Sequence, residues 1–372
     1  MSKQRQILVT GAGGFIGKNL LVRLGEQSDT EVLSFVRGNS DEMLTAMVAK
    51  ADAIVHLAGE NRPNDVVNFV LVNTELTRYL CEAIRATGRN VPLILASSTQ
   101  AEHYNPYGKS KLAAEQLVET FVAETANSAV IYRLPGVFGK WCKPNYNSVV
   151  ATFCHNIARG LPIQINDAAA TLNLAYIDDV VDELLCSLDN VKLGLLRAEI
   201  NQTYNITLGE LAEKIAAFQN CRTSLISERV GTGLTRALYS TYISYLPLDN
   251  FAYDLPQYGD DRGIFVEMLK TPDCGQFSFF TVHPGITRGS HYHHSKTEKF
   301  LVVKGIALMR FRHMITGEIS HITVSSDKPQ VVDSIPGWVH DITNIGDTET
   351  IVMLWANEIF NRQRPDCIPC EV

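Results

Sequence analysis

Gln6-Ile7-Leu8-Val9-Thr10-Gly11-Ala12-Gly13-Gly14-Phe15-Ile16-Gly17-Lys18-Asn19-Leu20 is the stretch that decides the fold. Its apolar first half reads as a buried parallel strand. Gly11, Gly14 and Gly17 make a tight turn, and Phe15, Ile16, Leu20, Leu21 and Leu24 then open an amphipathic helix. A Cβ in such a turn would hold the backbone away from a pyrophosphate, and the free N–H groups of a helix N-terminus attract that anion. The spacing G-x-x-G-x-x-G has a longer first interval than the common dinucleotide fingerprint. Strand, turn and helix in this order predict that Gly11, Gly14, Phe15, Ile16 and Gly17 contact a dinucleotide.

A chain of 372 residues is long for one domain and suggests two. With 45% hydrophobic and 20% charged residues the composition is that of a globular protein, and a net charge of −7 argues against a nucleic-acid surface. No leader is expected, because the first strand begins within a few residues of Met1. No apolar run approaches the ~20 residues that span a bilayer, so no membrane partner is expected. The eight cysteines scatter through predicted helices and strands, as reduced thiols in a cytoplasm would. Cys367-x-x-Cys370 has no second half and is read as chance.

Outward from the first helix, Glu31 to Val36 is a second strand. Where an acidic side chain would bind the ribose hydroxyls, Arg37 follows instead. A guanidinium suits a 2′-phosphate, which makes NADPH the expected cofactor; a solvated surface arginine is the other reading. Ala53 to Gly59 is the next strand, and Leu57 and Ala58 let a cofactor lie across its end. Asn73 to Ala86 reads as a helix, and Val91 to Ala96 as a strand tipped by Ser97-Ser98-Thr99. Tyr107 and Lys111 are four apart on the helix that follows, so they share a face. An ammonium there is expected to lower the phenol's pKa from ~10, so that the tyrosine exchanges a proton with an oxygen while a nicotinamide exchanges a hydride with the carbon.

These pieces together resemble the extended short-chain dehydrogenase/reductase family. The resemblance rests on Thr10–Gly17, Ser97-Ser98, Tyr107–Lys111, Tyr132-Arg133-Leu134-Pro135-Gly136-Val137-Phe138-Gly139 and Ala175-Tyr176-Ile177-Asp178-Asp179-Val180. It implies a doubly wound α/β parallel sheet of the Rossmann type, a nucleotide-sugar substrate and a catalytic set of Ser98, Tyr107 and Lys111, with Thr99 able to share the serine's role. Leu208 to Gln219 is expected as a helix of the sugar-side lobe.

From about residue 246 the texture changes to short alternating strands: Phe277–Val282, Lys299–Val303, Ile306–Arg310, His321–Val324 and Ile351–Trp355. They predict a C-terminal antiparallel β-barrel and a division into domains 1–245 and 246–372. Seven of the ten histidines lie beyond residue 280. His291 and His293, two apart on a strand, share a face. Glu298, after a polar interval, can turn inward, and Pro336-Gly337-Trp338-Val339-His340 brings another imidazole. Two or three imidazoles with one carboxylate suit a divalent ion such as Zn²⁺; a metal-free polar cluster is the other reading.

The spacings resemble those of the cupin family, which implies metal ligation by His291, His293, Glu298 and His340. They depart from it in that Gly337 directly follows Pro336. The whole chain, including Gly139-Lys140-Trp141-Cys142-Lys143-Pro144-Asn145-Tyr146-Asn147 and Asp260-Asp261-Arg262-Gly263, is similar to the bifunctional capsular-polysaccharide enzymes of UDP-N-acetyl-L-fucosamine synthesis. That resemblance implies a cytoplasmic homodimer with a UDP-sugar substrate. Its cupin half would epimerise C3 of a UDP-4-keto-6-deoxy-N-acetylhexosamine, and its reductase half would reduce C4 with NADPH. A reductase whose barrel only binds sugar or joins subunits, and a non-catalytic NADP sensor, are the competing readings. Which side chain takes the C3 proton is left open, the candidates including the Tyr292 and His294 neighbourhood.

Overall fold

The computed structural model describes residues 4–256, 258–260, 263–265, 268–269, 275–358 and 363–372. Asp261 and Arg262 of the motif quoted above lie outside them. The chain divides into two compact units, Met1–Lys143 with Leu172–Asn205, and Pro144–Thr171 with Ile206–Val372.

The first unit is built on strands β1 (Arg5–Thr10), β2 (Thr30–Phe35), β3 (Ala53–His56), β4 (Leu93–Ser98) and β5 (Ala129–Leu134). Short strands β6 (Gly136–Phe138), β7 (Thr171–Tyr176), β8 (Leu195–Ala198) and β9 (Tyr204–Thr207) follow. The main sheet has the order β2-β1-β3-β4-β5-β8, and its pairings are parallel. Its central strands are near-continuous apolar runs because helices cover both faces. On one face Leu8, Ile54, Leu93, Leu95 and Ile131 pack with Leu44, Val48, Leu80, Ile84, Val118 and Phe121. The strand order reverses between β1 and β3, and ligands in open parallel sheets bind outside the strand ends at that point.

The helix carrying Tyr107 runs Pro106–Thr125. Asn105 caps it by accepting from Gly108 N at 2.8 Å, and Pro106 occupies the first turn, where its missing N–H costs nothing. The helix expected from Asn73 begins as a π-helical turn, Val70–Glu75, before Leu76–Ala86 continues as α-helix. Two quoted motifs meet in a buried ion pair: Lys140 Nζ lies 2.6 Å from Asp178 Oδ1. Asp178→Ala would strand the lysine, which is 2% exposed, so we expect a loss of about 3 kcal/mol in chemical denaturation. A change under 1 kcal/mol would show that water reaches Lys140 freely.

In the second unit Thr207 and Glu210 form a reciprocal capping box at the start of the helix Leu208–Ser224, which runs a turn past Gln219. Strands β10 (Ala252–Asp254), β11 (Tyr258–Asp260), β12 (Gly263–Phe265), β13 (Gln276–Val282), β14 (Thr287–Tyr292) and β15 (Glu298–Lys304) follow. Then come β16 (Ile306–His313), β17 (Ile319–Ser325), β18 (Gln330–Asp333), β19 (Trp338–Asn344), β20 (Thr350–Ala356) and β21 (Ile368–Pro369). Apart from the β11/β12 hairpin they form two five-stranded antiparallel sheets, β10-β18-β15-β20-β13 and β17-β16-β19-β14-β21. The predicted antiparallel architecture is thus present as two sheets. Val302, Met309, Phe311, Val339, Val352 and Trp355 are among its buried side chains, and Phe251 stacks edge-on against Phe311 and Trp338.

Candidate functional site

The glycine turn closes on the end of β3. Gly11 sits at φ +68, and a Cβ there would lie 2.6 Å from Ala58 N. A Cβ on Gly17 would lie 2.3 Å from Gly11 O, so only glycine lets the helix start this close to the strand. Gly14 is the N-cap of the helix Phe15–Gly25 and makes no side-chain cap, which leaves the first-turn N–H groups uncapped by side chains. Leu57 and Ala58 are anchored to Thr10: Leu57 N donates to Thr10 O, and Ala58 N to Thr10 Oγ1. His56 bonds Thr10 and Thr77 and is buried, which pushes its pKa down to about 3; it is a neutral anchor of this edge.

Ser97 and Ser98 have separate partners. The Ser97 hydroxyl donates to the buried Glu115 carboxylate, which also binds Arg133 and Arg197. Ser98 lowers the pKa of the Tyr107 phenol, and its Oγ accepts from Gln100 N. Lys111 is 6% exposed and donates to Ala96 O at 2.6 Å. Here the structure departs from expectation. Burial raises the Tyr107 phenol, partly offset by Ser98, while the Lys111 ammonium donates to the Ala96 carbonyl. Burial pushes Lys111 itself down to about 8, against the opposing charge of Glu115. Thr99 is exposed in the turn beyond.

Arg37 lies just past β2 with its side chain 85% exposed, and its Nη2 pairs with Glu60 Oε2 at 2.7 Å. Glu60 is held in turn by Asn73, whose Oδ1 accepts from Glu60 N and whose Nδ2 donates to Glu60 O and Ser110 Oγ. Sequence reasoning missed Glu60, Asn73 and Glu115. Glu115 carried a signal, four residues beyond Lys111 on the same helix face; Glu60 and Asn73 come to Arg37 and Ser110 through tertiary structure alone.

In the second unit, ligand atoms of His291, His293, Glu298 and His340 lie within 4.8 Å of one another. His291 and His340 are paired across β14 and β19, while Glu298 opens β15 in the other sheet. A bulge at Gly289–His291 turns His291 into the cluster; Gly289 has φ +100 there, and a Cβ would press on the β19 backbone at 3.2 Å. The departure at Pro336-Gly337 leaves His340 in the cluster, since Gly337 N donates to His293 O at 3.1 Å.

Glu298 Oε2 lies 3.0 Å from His293 Nε2, and Oε1 lies 2.6 Å from Lys296 Nζ. His340 Nε2 is 3.5 Å from Glu298 without hydrogen-bond geometry, so both its ring nitrogens are buried and unbonded. Burial and its histidine neighbours push His291 down to about 4, and burial lowers His340, so both imidazoles keep lone pairs at neutral pH. Burial alone would raise the Glu298 carboxyl; His293, His340 and Lys296 outweigh it and hold the group well below the usual carboxylate range. Neutral imidazoles with orphaned buried nitrogens beside one carboxylate fit a divalent cation. A cavity of about 290 Å³ opens onto His291, Glu298 and His340, with Arg288, Phe280 and Phe300 also lining it.

Comparison with known proteins gives two family matches. Residues 7–207 match the NAD dependent epimerase/dehydratase family, and residues 258–368 match the polysaccharide biosynthesis C-terminal domain. The chain belongs to the NAD-dependent epimerase/dehydratase family. This family member is 52% identical over 367 residues to UDP-2-acetamido-2,6-beta-L-arabino-hexul-4-ose reductase of Pseudomonas aeruginosa, covering 99% of each chain. It is 42% identical to the capsular polysaccharide assembling protein CapF of Staphylococcus aureus, with a TM-score of 0.67 over 98% of this chain and 100% of that one. MoeE5, solved with UDP-glucose and NAD, shares the fold at 23% identity and a TM-score of 0.51, over 57% of this chain and 81% of its own. The resemblance to the bifunctional capsular enzymes therefore runs the full length of this epimerase/dehydratase family member. Among its described residues no helix is long and apolar enough to cross a membrane.

Proposed function

We propose that the chain is a two-step UDP-sugar enzyme of capsule or O-antigen synthesis, with a reductase half to residue 245 and a cupin half from 246. The cupin half epimerises C3 of UDP-2-acetamido-2,6-dideoxy-4-hexulose. The reductase half then reduces the C4 ketone with NADPH to UDP-2-acetamido-2,6-dideoxy-L-talose. The observation that carries the reading is the presence of two clusters in one chain: Ser98, Tyr107 and Lys111 in one unit, and His291, His293, Glu298 and His340 in the other. The full-length Pseudomonas relative, named as a 4-ulose reductase, supports the substrate class.

In the reductase half Tyr107 donates its proton to the C4 oxygen as that oxygen gains charge, and Ser98 orients the phenol and the ketone. Lys111, fixed by Ala96 O, keeps a positive charge on this face and would hold cofactor hydroxyls. NADPH, when bound, supplies the hydride for C4. In the cupin half the ketone acidifies the C3 proton, and His291, His293, Glu298 and His340 would hold a divalent ion, Zn²⁺ being suited to this donor set. Such an ion would supply Lewis-acid charge that stabilises an enolate. The second reading, a barrel that only binds sugar or joins two subunits of a homodimer, leaves His340 with two orphaned buried nitrogens and no use for them.

The test of the division is incubation of the full-length protein with the 4-keto sugar in D₂O without NADPH. Deuterium should enter at C3 with no reduction; its absence would remove the epimerase step and leave a reductase. Cofactor choice is tested at Arg37. Arg37→Ala should raise KM for NADPH about tenfold and leave that for NADH within about twofold, since a charged hydrogen bond is worth roughly 1.5–3 kcal/mol. Equal effects on both would leave Arg37 as the partner of Glu60 and nothing more.

A further inference from the structure

The loop from His293 to Thr297, which joins two cluster residues, is stitched to a segment about seventy positions later in the chain. The Asp366 carboxylate accepts from three successive backbone N–H groups, those of His294, Ser295 and Lys296, each at 2.8 Å, and from Ser295 Oγ at 3.2 Å. Successive N–H groups of this kind form a concave nest for an anion, and here the anion is the chain's own side chain. The stitching continues beyond it. Strand β21 pairs with β14 at Tyr292↔Ile368 and His291↔Pro369, and Cys370 N donates to Ser290 O. Ser240 and Arg236 hold Ser295 from another side.

The same residue reaches the cluster itself. The Asp366 carbonyl oxygen is hydrogen-bonded to His293 Nδ1. A carbonyl can only accept, so Nδ1 carries the hydrogen, and Nε2 is the atom presented to Glu298. Imidazole ligands are commonly fixed this way, by a bond from the ring nitrogen that does not face the metal.

We infer that Asp366 is the positioning residue of the cluster: its carboxylate locks the segment in the nest, and its carbonyl aims His293 Nε2 at the space shared by His291, Glu298 and His340. This rests on the reading of that cluster as a metal site. It accounts for bonds that the epimerase chemistry alone does not require, since Asp366 is not among the residues that line the cavity.

The test is titration of apo, full-length protein with Zn²⁺ against a chelating dye. Asp366→Ala should weaken Zn²⁺ affinity by about 10–100-fold. Asp366→Asn, which keeps one acceptor oxygen and serves if the alanine variant fails to fold, should show a smaller loss in the same direction. The effect should vanish in a His293→Ala background, because it acts through that ring; a packing role would weaken both backgrounds alike. Wild-type protein that binds no Zn²⁺ would overturn the metal reading itself. Wild-type binding with unchanged affinity in a folded Asp366 variant, or equal losses with and without His293, would overturn the positioning role alone.

Discussion

Tyr107→Phe should lower NADPH oxidation by about 10²–10⁴-fold, the range that a positioned general acid contributes. The substitution removes one oxygen from a half-buried ring that packs 5.7 Å from Phe69, so the helix Pro106–Thr125 should keep its place. Deuterium exchange at C3 should continue at the wild-type rate, because the groups proposed for that step lie in the other unit. Stopped-flow absorbance of NADPH beside proton NMR of the sugar reads both steps from one sample. Loss of exchange along with reduction would mean that the two reactions share a site.

The second large effect is expected at Glu298. Glu298→Gln replaces the carboxylate facing His293 with a weaker neutral ligand and breaks the 2.6 Å ion pair to Lys296. Bound metal should fall, and exchange at C3 should fall with it by about 10–100-fold. The reductase, given an already epimerised ketone, should keep its rate. Removing metal should also lower the melting temperature of the second unit, because ligands drawn from three strands and the loop after β14 are then no longer cross-linked. Elemental analysis showing far less than one equivalent of any divalent metal, with exchange fully active, would leave the histidines as acid–base or packing groups.

How much of this could be read beforehand depended on how local the signal was. The glycine turn, the strand tipped by Ser97-Ser98 and the Tyr107–Lys111 helix each depend on contacts within a few residues, and the alternating strands of the second unit announced themselves by period. His291, His293, Glu298 and His340 come together through a bulge at Gly289 and a crossing between sheets; spacing named them, but not the geometry. The Tyr107 phenol went the other way from expectation. Helical spacing puts Lys111 on its face, yet burial outweighs the other influences on the phenol, and the ammonium donates to the Ala96 carbonyl. Glu60 beside Arg37 and Asp366 beside His293 carried no local signal, because their partners are 23 and 73 positions away.

The central claim is that one chain inverts C3 and then reduces C4. It is tested most directly by mass and proton NMR analysis of the product formed from UDP-2-acetamido-2,6-dideoxy-4-hexulose and NADPH in D₂O. The account predicts a 2-acetamido-2,6-dideoxy-L-talose product with one deuterium at C3 and the NADPH hydride at C4. A C4 alcohol with protium and unchanged configuration at C3 would contradict it.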